Sequence, residues 1–391
     1  MDVPADAPGP PAGSPGSSSP ADPGPASRRR RSPRRWTPGW TPGWTPGGAL
    51  AVVIALAVVI AVAVPALLAQ AGPPSSRVLP RGAEALLGLE YAVLPGNAGT
   101  LDLFVPARGR GPYPVVLWSQ GSGWTSDRGN LGGEPVAEQL VRRGYAVALF
   151  SVRSSEQAVF PAQVHDAKAA VRFIRAHAEE FGLDPDRVVA AGNSSGGWIA
   201  TMLGVTSGEP ALEGELGVTG VSSRVYAVVN FFAPTDFLSI TSQMLPGACD
   251  RFNESYGVTR CHDDLQAFES RLIGASTLRH PDLAIAASPL AYIDAGDPPT
   301  LIAHGTDDWV VPYRQSSLLF AALDAAGVPT AYYEVADVGH DFRFAASGSV
   351  LDTEVESAHL DPAPPPGQQL TWDVITDFLD RQLDRRRDVA S

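Results

Sequence analysis

Gly192-Asn193-Ser194-Ser195-Gly196 decides how the rest of this chain is read. The apolar run Val188-Val189-Ala190-Ala191 precedes it, and Gly197-Trp198-Ile199-Ala200-Thr201-Met202-Leu203 follows. The order is strand, tight turn, helix. Glycines at minus two and plus two around a serine on such a turn form a G-x-S-x-G nucleophile elbow. The turn forces the central residue into a strained backbone conformation, and small neighbours let strand and helix approach closely. The helix N-terminus below the serine favours developing negative charge. Ser194 has Gly at both required positions, whereas Ser195 would have Asn193 at minus two. Ser194 is therefore the expected nucleophile, and Ser195 the residue whose backbone N–H faces an oxyanion.

Outward from the elbow, apolar runs alternate with amphipathic ones. Glu90–Leu94 and Leu101–Val105 flank Pro95-Gly96-Asn97-Ala98-Gly99 and read as a hairpin that opens the globular part. Pro114–Trp118, Ala146–Phe150, Val188–Ala191, Tyr226–Phe232, Thr300–His304 and Ala331–Val335 read as strands, the last of these closing the sheet. Residues 134–143, ended by Gly144, read as a helix, as do Asp166–Phe181, Arg314–Ala326 and Trp372–Leu383. Strands that are apolar on both faces and separated by helices predict an α/β fold. Its central sheet is mostly parallel, with helices on both faces.

A serine nucleophile needs a base and an acid that orients the base. In an open parallel sheet both come from loops after later strands. Strand 300–304 runs into Gly305-Thr306-Asp307-Asp308-Trp309, and strand 331–335 is followed by Asp337-Val338-Gly339-His340-Asp341. The order Ser, Asp, His is that of serine hydrolases built on an elbow. His340 is the expected base, and these residues alone leave Asp307 and Asp308 both open as the acid. Such chemistry needs no cofactor and no metal, and no zinc-type ligand spacing occurs.

From residue 89 to 385 the chain resembles the α/β-hydrolases. Within them it is similar to the esterase branch of bacterial feruloyl and acetylxylan esterase-like proteins and relatives of hormone-sensitive lipase. Beyond the elbow, the likeness rests on Leu101-Asp102-Leu103-Phe104-Val105-Pro106 as the opening strand and on Gln163–Glu180 as the helix before the nucleophile. His304–Ser316 fits the branch's acid loop, H-G-x-x-D-x-x-V-P. The resemblance implies a carboxylesterase for small esters with Ser194, Asp308 and His340 as triad, Asp307 falling at a variable position. It also implies an oxyanion hole from backbone N–H groups of Ser122, Gly123 and Ser195. One departure is plain: where the branch has H-G-G-G-W, this chain has Gln120-Gly121-Ser122-Gly123-Trp124. Backbone N–H groups do the work there, so the hole survives, but a His that helps fix the loop is gone and Gln120 is left to hydrogen-bond in its place. Two other classes stay open at this point. One is a serine peptidase similar to prolyl oligopeptidases, although no propeller repeat precedes the domain. The other is a noncatalytic binding protein retaining the fold, although the triad residues are in frame.

The first 88 residues read differently. Residues 1–47, rich in Pro, Gly and Arg, predict a disordered cytoplasmic arm. Residues 48–70 predict a transmembrane signal anchor, being apolar and free of charge from Ala49 to Ala69. Residues 71–88 predict a linker, and 89–385 the catalytic domain. Arg28-Arg29-Arg30-Arg31, Arg34 and Arg35 precede the apolar run, so the N-terminus is expected inside and the domain outside the cytoplasm. Cleavage near Ala71, after Ala69-Gln70-Ala71, is the alternative and would give a secreted form. Cys249 and Cys261 are the sole cysteines and are expected to form a disulfide in such a compartment. The net charge is −13, and residues 1–47 are themselves basic, so the body is acidic and nucleic acid is excluded as a partner. The long segment 233–299 predicts a partial cover over the serine. Trp124 and Trp198 would narrow the cleft toward short acyl groups if both rings face it, core packing of either ring being the alternative. No long amphipathic helix suited to a lipid-seeking lid is evident, and the Pro-rich stretch 345–367 suggests no chemistry.

Overall fold

The computed structural model describes residues 78–341, 345 and 350–390. The expected arm (1–47), membrane anchor (48–70), cleavage site near Ala71 and the first part of the linker lie outside the described residues. Among the described residues no helix is long and apolar enough to cross a membrane.

The described strands are β1 (Ala83–Glu90), β2 (Thr100–Pro106), β3 (Tyr113–Ser119), β4 (Ala146–Phe150), β5 (Leu183–Asn193), β6 (Ala227–Phe231), β7 (Thr300–Gly305), β8 (Thr330–Val335) and β9 (Thr353–Ala358). They form one sheet in the order β1-β2-β4-β3-β5-β6-β7-β8-β9. Pairing is parallel from β4 through β8, and antiparallel where β1, β2 and β9 join at the edges. Among the described residues, eight helices of six or more residues pack around it. They are α1 (Glu134–Val141), α2 (Ala162–Ala176), α3 (Ser195–Val205), α4 (Ala248–Tyr256), α5 (Phe268–Ile273), α6 (Pro281–Ala286), α7 (Arg314–Ala326) and α8 (Trp372–Ala390).

Two-residue periodicity divides the apolar strands between two cores. Val115, Leu117, Ala148, Val188 and Ala190 turn toward Ala167, Val171 and Ile174 of α2 and Met202 of α3. Their sequence neighbours Val116, Trp118, Val147, Leu149, Val189 and Ala191 turn toward Leu140 of α1 and Ile375, Phe378 and Leu379 of α8. Burying each large side chain contributes roughly 1.5–3 kcal/mol, so neither face of these strands tolerates exposure. This is the α/β-hydrolase arrangement.

Four expectations are corrected by the structure. The first described strand is Ala83–Glu90, so a strand lies largely inside the expected linker, and residues 91–99 form the turn. The Tyr91 and Ala92 N–H groups both donate to Gly99 O (2.8 and 3.3 Å), which closes that turn. Ala83-Glu84-Ala85-Leu86-Leu87 favours helix intrinsically. Pairing with β2 overrides that preference, and Leu86 and Leu87 remain exposed on this edge strand. The expected helix 166–181 starts at Ala162 and breaks at His177, beyond which lies a separate turn of helix, Ala178–Phe181. The strand 331–335 is not the last: β9 lies within the Pro-rich stretch and pairs along the whole of β8. Glu354 and Glu356 face outward from it, which guards an edge against further pairing. The closing helix continues past Leu383 to Ala390.

The segment 233–299 carries α4, α5 and α6. The Cys249–Cys261 disulfide forms as expected, with Cα atoms 5.2 Å apart, and ties α4 to the turn Cys261–Asp263. Closing a loop of twelve positions stabilises by about 2–3 kcal/mol through the unfolded chain. Replacing both cysteines by Ser is therefore expected to lower Tm by several degrees, with native far-UV circular dichroism. An unchanged Tm would show that the bridge adds nothing to stability.

Candidate active site

Strand β5 ends at Asn193 and α3 starts at Ser195, so the whole turn is Ser194. Ser194 sits at φ 54°, ψ −127°, a region that costs a non-glycine residue of order 1–3 kcal/mol. The surroundings hold it there. Its N–H donates to Phe231 O of β6 (2.9 Å), and its carbonyl accepts from Trp198 N–H (3.0 Å). A Cβ on Gly196 would lie 1.9 Å from Ser119 O, so β3 and α3 come this close only without a side chain.

Asp308 stands at the position that the resemblance gives to the acid. It is fully buried. Oδ1 accepts the N–H groups of Val310 (2.8 Å) and Val311 (2.9 Å). Oδ2 accepts from His340 Nδ1 at 2.6 Å and from His304 Nε2 at 3.2 Å. Asp307 is exposed and engages Val338 O through its backbone N–H (2.9 Å). Burial by itself would push the Asp308 carboxyl up, but His340 and His304 outweigh it and hold the group well below the usual carboxylate range.

His304 has a part that composition and spacing did not reveal. Its Nε2 faces Asp308 and also Val311 O (3.0 Å), while its Nδ1 faces the Ser316 hydroxyl (2.7 Å). Nε2 therefore carries the proton and Nδ1 accepts. The acid and base loops are laced together as well. Asp307 N–H donates to Val338 O, and Asp337 N–H donates to Thr306 Oγ1 (3.1 Å). A Cβ on Gly305 would sit 2.1 Å from Val338 O, which accounts for the glycine after His304.

His340 packs its ring against Phe232, centroids 4.6 Å apart. Nδ1–H is committed to Asp308, which leaves Nε2 as the basic nitrogen. His340 and Ser194 line the same cavity, of about 390 Å³.

The loop after β3 is anchored differently from expectation. Gln120 Oε1 accepts from Trp118 Nε1 (3.1 Å) rather than bracing the loop. The residues on either side of the nucleophile brace it instead. Asn193 Oδ1 accepts from Gly121 N–H (3.0 Å), and Ser195 Oγ accepts from Ser122 N–H (2.8 Å). The Ser122 N–H, expected to face an oxyanion, is thus turned to a side chain. Gly123 and the Ser195 N–H remain beside the cavity; Ser195, as first residue of α3, has no intrahelical acceptor.

Tyr256, His262, Phe268 and Glu269 bring the 233–299 segment into the cavity wall, as a partial cover should. His262 and Glu269 were not singled out by sequence, which showed only that His262 follows a cysteine. Trp124 lines the cavity, but Trp198 does not. Trp198 is fully buried, donates Nε1–H to Ala287 O (2.8 Å) and meets Trp124 edge-on at 5.3 Å. It is core that supports Trp124 from behind.

These contacts distinguish the two aspartates by experiment. Asp308→Asn is expected to lower kcat on a nitrophenyl ester by about 10⁴-fold, as for other triad acids, while Asp307→Asn leaves it within about threefold. Because the Asp308 pKa is depressed, the charged form and whatever stability it contributes persist above the ordinary Asp range and are lost only as pH falls below it. The acid limb of kcat/KM above pH ~4 should therefore carry a single proton. A two-proton limb, or a damaging Asp307→Asn, would contradict the assignment.

Comparison with known proteins finds similarity to esterases. The chain is 26% identical to an esterase, LipQ, of Mycobacterium tuberculosis over 60% of its own length and 51% of the relative's. It is 30% identical to a probable isoprenylcysteine alpha-carbonyl methylesterase, ICMEL1, of Arabidopsis thaliana, over 58% of this chain and 45% of that one. The chain spans about half the length of the curated relatives it matches. Among solved structures, a truncated carbohydrate esterase from gut microbiota superposes with a TM-score of 0.64 at 27% identity, over 79% of this chain and 99% of that one. The BD-FAE family model matches residues 101–323, more than half of the sequence and running from within β2 to the body of α7, so the chain belongs to the BD-FAE family.

Proposed function

We propose that the protein is a serine carboxylesterase that hydrolyses small or short-acyl esters outside the cytoplasm. The observation that carries this reading is the 2.6 Å bond from His340 Nδ1 to buried Asp308, in the cavity that also holds the elbow serine. Esterase names among the relatives support it.

In this reading Ser194 Oγ attacks the ester carbonyl carbon as His340 Nε2 takes its proton. Asp308 keeps the ring in the right tautomer and stabilises its charged form. The N–H groups of Ser195 and Gly123 hold the oxyanion, and the N-terminus of α3 adds to the favourable field. Collapse expels the alcohol with the proton from His340. Water then attacks the acyl-enzyme with His340 again as base, and the acid leaves.

The preference for short acyl groups is supported by the cavity wall. Trp124, Phe268 and Tyr256 close it in, and buried His262 and Glu269 interrupt its apolar surface. An extending alkyl chain would meet a polar pair there and gain less than from an apolar wall. The uncharged run 48–70, behind an Arg cluster, supports a tether with the N-terminus inside; cleavage near Ala71 would release the same domain.

A series of nitrophenyl esters from acetate to palmitate tests the reading. Maximal kcat/KM is expected at acetate to butyrate, with Ser194→Ala lowering kcat by at least about 10³-fold, and with the full chain sedimenting with membranes. A maximum at ten carbons or more would overturn the short-acyl preference. Full activity in Ser194→Ala would overturn the mechanism.

A further inference from the structure

The 233–299 segment supplies a second carboxylate–imidazole pair beside the triad. His262 and Glu269 are each 1% exposed. His262 Nδ1 lies 2.9 Å from Glu269 Oε2, and Nε2 lies 2.9 Å from Val310 O. A backbone carbonyl only accepts, so Nε2 carries a proton aimed at Val310. Whichever partner holds the other proton, Glu269 fixes the ring's orientation.

Val310 is also the residue that cradles the acid. Its N–H donates to Asp308 Oδ1 at 2.8 Å, and Val311 N–H donates to the same oxygen at 2.9 Å. A chain of hydrogen bonds therefore runs from Glu269 to His262, to Val310, to Asp308 and to His340, no link longer than 2.9 Å. Val310 and Val311 share a small core of their own with Phe252, Val258 and Cys261 of the segment. The Phe252 ring lies 4.2 Å from that of His262, and the disulfide ends at the residue just before it.

Stability does not explain such a pair. A buried ion pair is commonly no better than apolar residues of the same volume. Its position does: Val310 is held by the segment through its carbonyl and holds Asp308 through its N–H. We propose that His262, oriented by Glu269, is a positioning residue for the catalytic acid, and that the segment it belongs to keeps the acid loop in register. The inference rests on the triad reading above.

The test uses the full chain and four variants: His262→Phe, His262→Gln, Glu269→Gln and the double variant His262→Phe/Glu269→Leu. kcat, KM and Tm are measured with nitrophenyl acetate across pH. Misplacing a catalytic group by about an ångström costs up to ~10²-fold. His262→Phe should lower kcat roughly tenfold to a hundredfold, with KM within about threefold. His262→Gln, which retains an N–H donor for Val310, should recover most of it, and Glu269→Gln should stay within about threefold of the parent. The double variant leaves no unpaired carboxylate behind and should fold, yet keep the kcat defect. A folded double variant with parental kcat, or a Gln variant no better than Phe, would overturn the proposal. Absence of Ser194-dependent turnover in the parent would instead overturn the triad reading and this inference with it.

Discussion

Ser119 O and the Cα of Gly196 approach so closely that no side chain fits between them. Much of the site depends on that contact. It presses the N-terminus of α3 against the end of β3, which leaves Ser194 at positive φ at the tip of the turn. It also sets the loop after β3 directly over the elbow, where Asn193 and Ser195 receive the N–H groups of Gly121 and Ser122. Strain at one residue is thereby offset by the packing of two strands and a wholly buried helix.

Asp308 is the second node. Its two oxygens receive four hydrogen bonds, from two backbone N–H groups and two imidazoles, with no exposure to solvent. A buried carboxylate with so many donors stays ionised, which is what a triad acid requires. His304 and Ser316 steady it from the side of β7 and α7, and the 233–299 segment steadies it through Val310. The acid is thus held from two independent directions.

What was legible in the sequence was whatever local chemistry dictates. Ala146–Phe150 and Arg314–Ala326 match their elements residue for residue, because an unbroken apolar run and an amphipathic run ended by Gly327 each have one stable solution. The elbow, His340 and the cysteine pair stood out through spacing and motif, whereas Asp308 was separated from Asp307 only by the resemblance. The rest depends on partners distant in sequence. Ala83–Glu90 is a strand because β2 pairs with it, and Thr353–Ala358 because β8 offers an open edge. Trp198 points into the core because of Ala287, and His262 meets Val310 across 48 positions. No local pattern announces such pairings.

The central claim is that one serine of the adjacent pair is the nucleophile and that the triad activates it. Treating the full chain with a fluorophosphonate and mapping the adduct by mass spectrometry tests this most directly. The account predicts one equivalent of label, on Ser194, with labelling abolished in Ser194→Ala and slowed in His340→Ala. Label on Ser195, or none on the native protein, would contradict it.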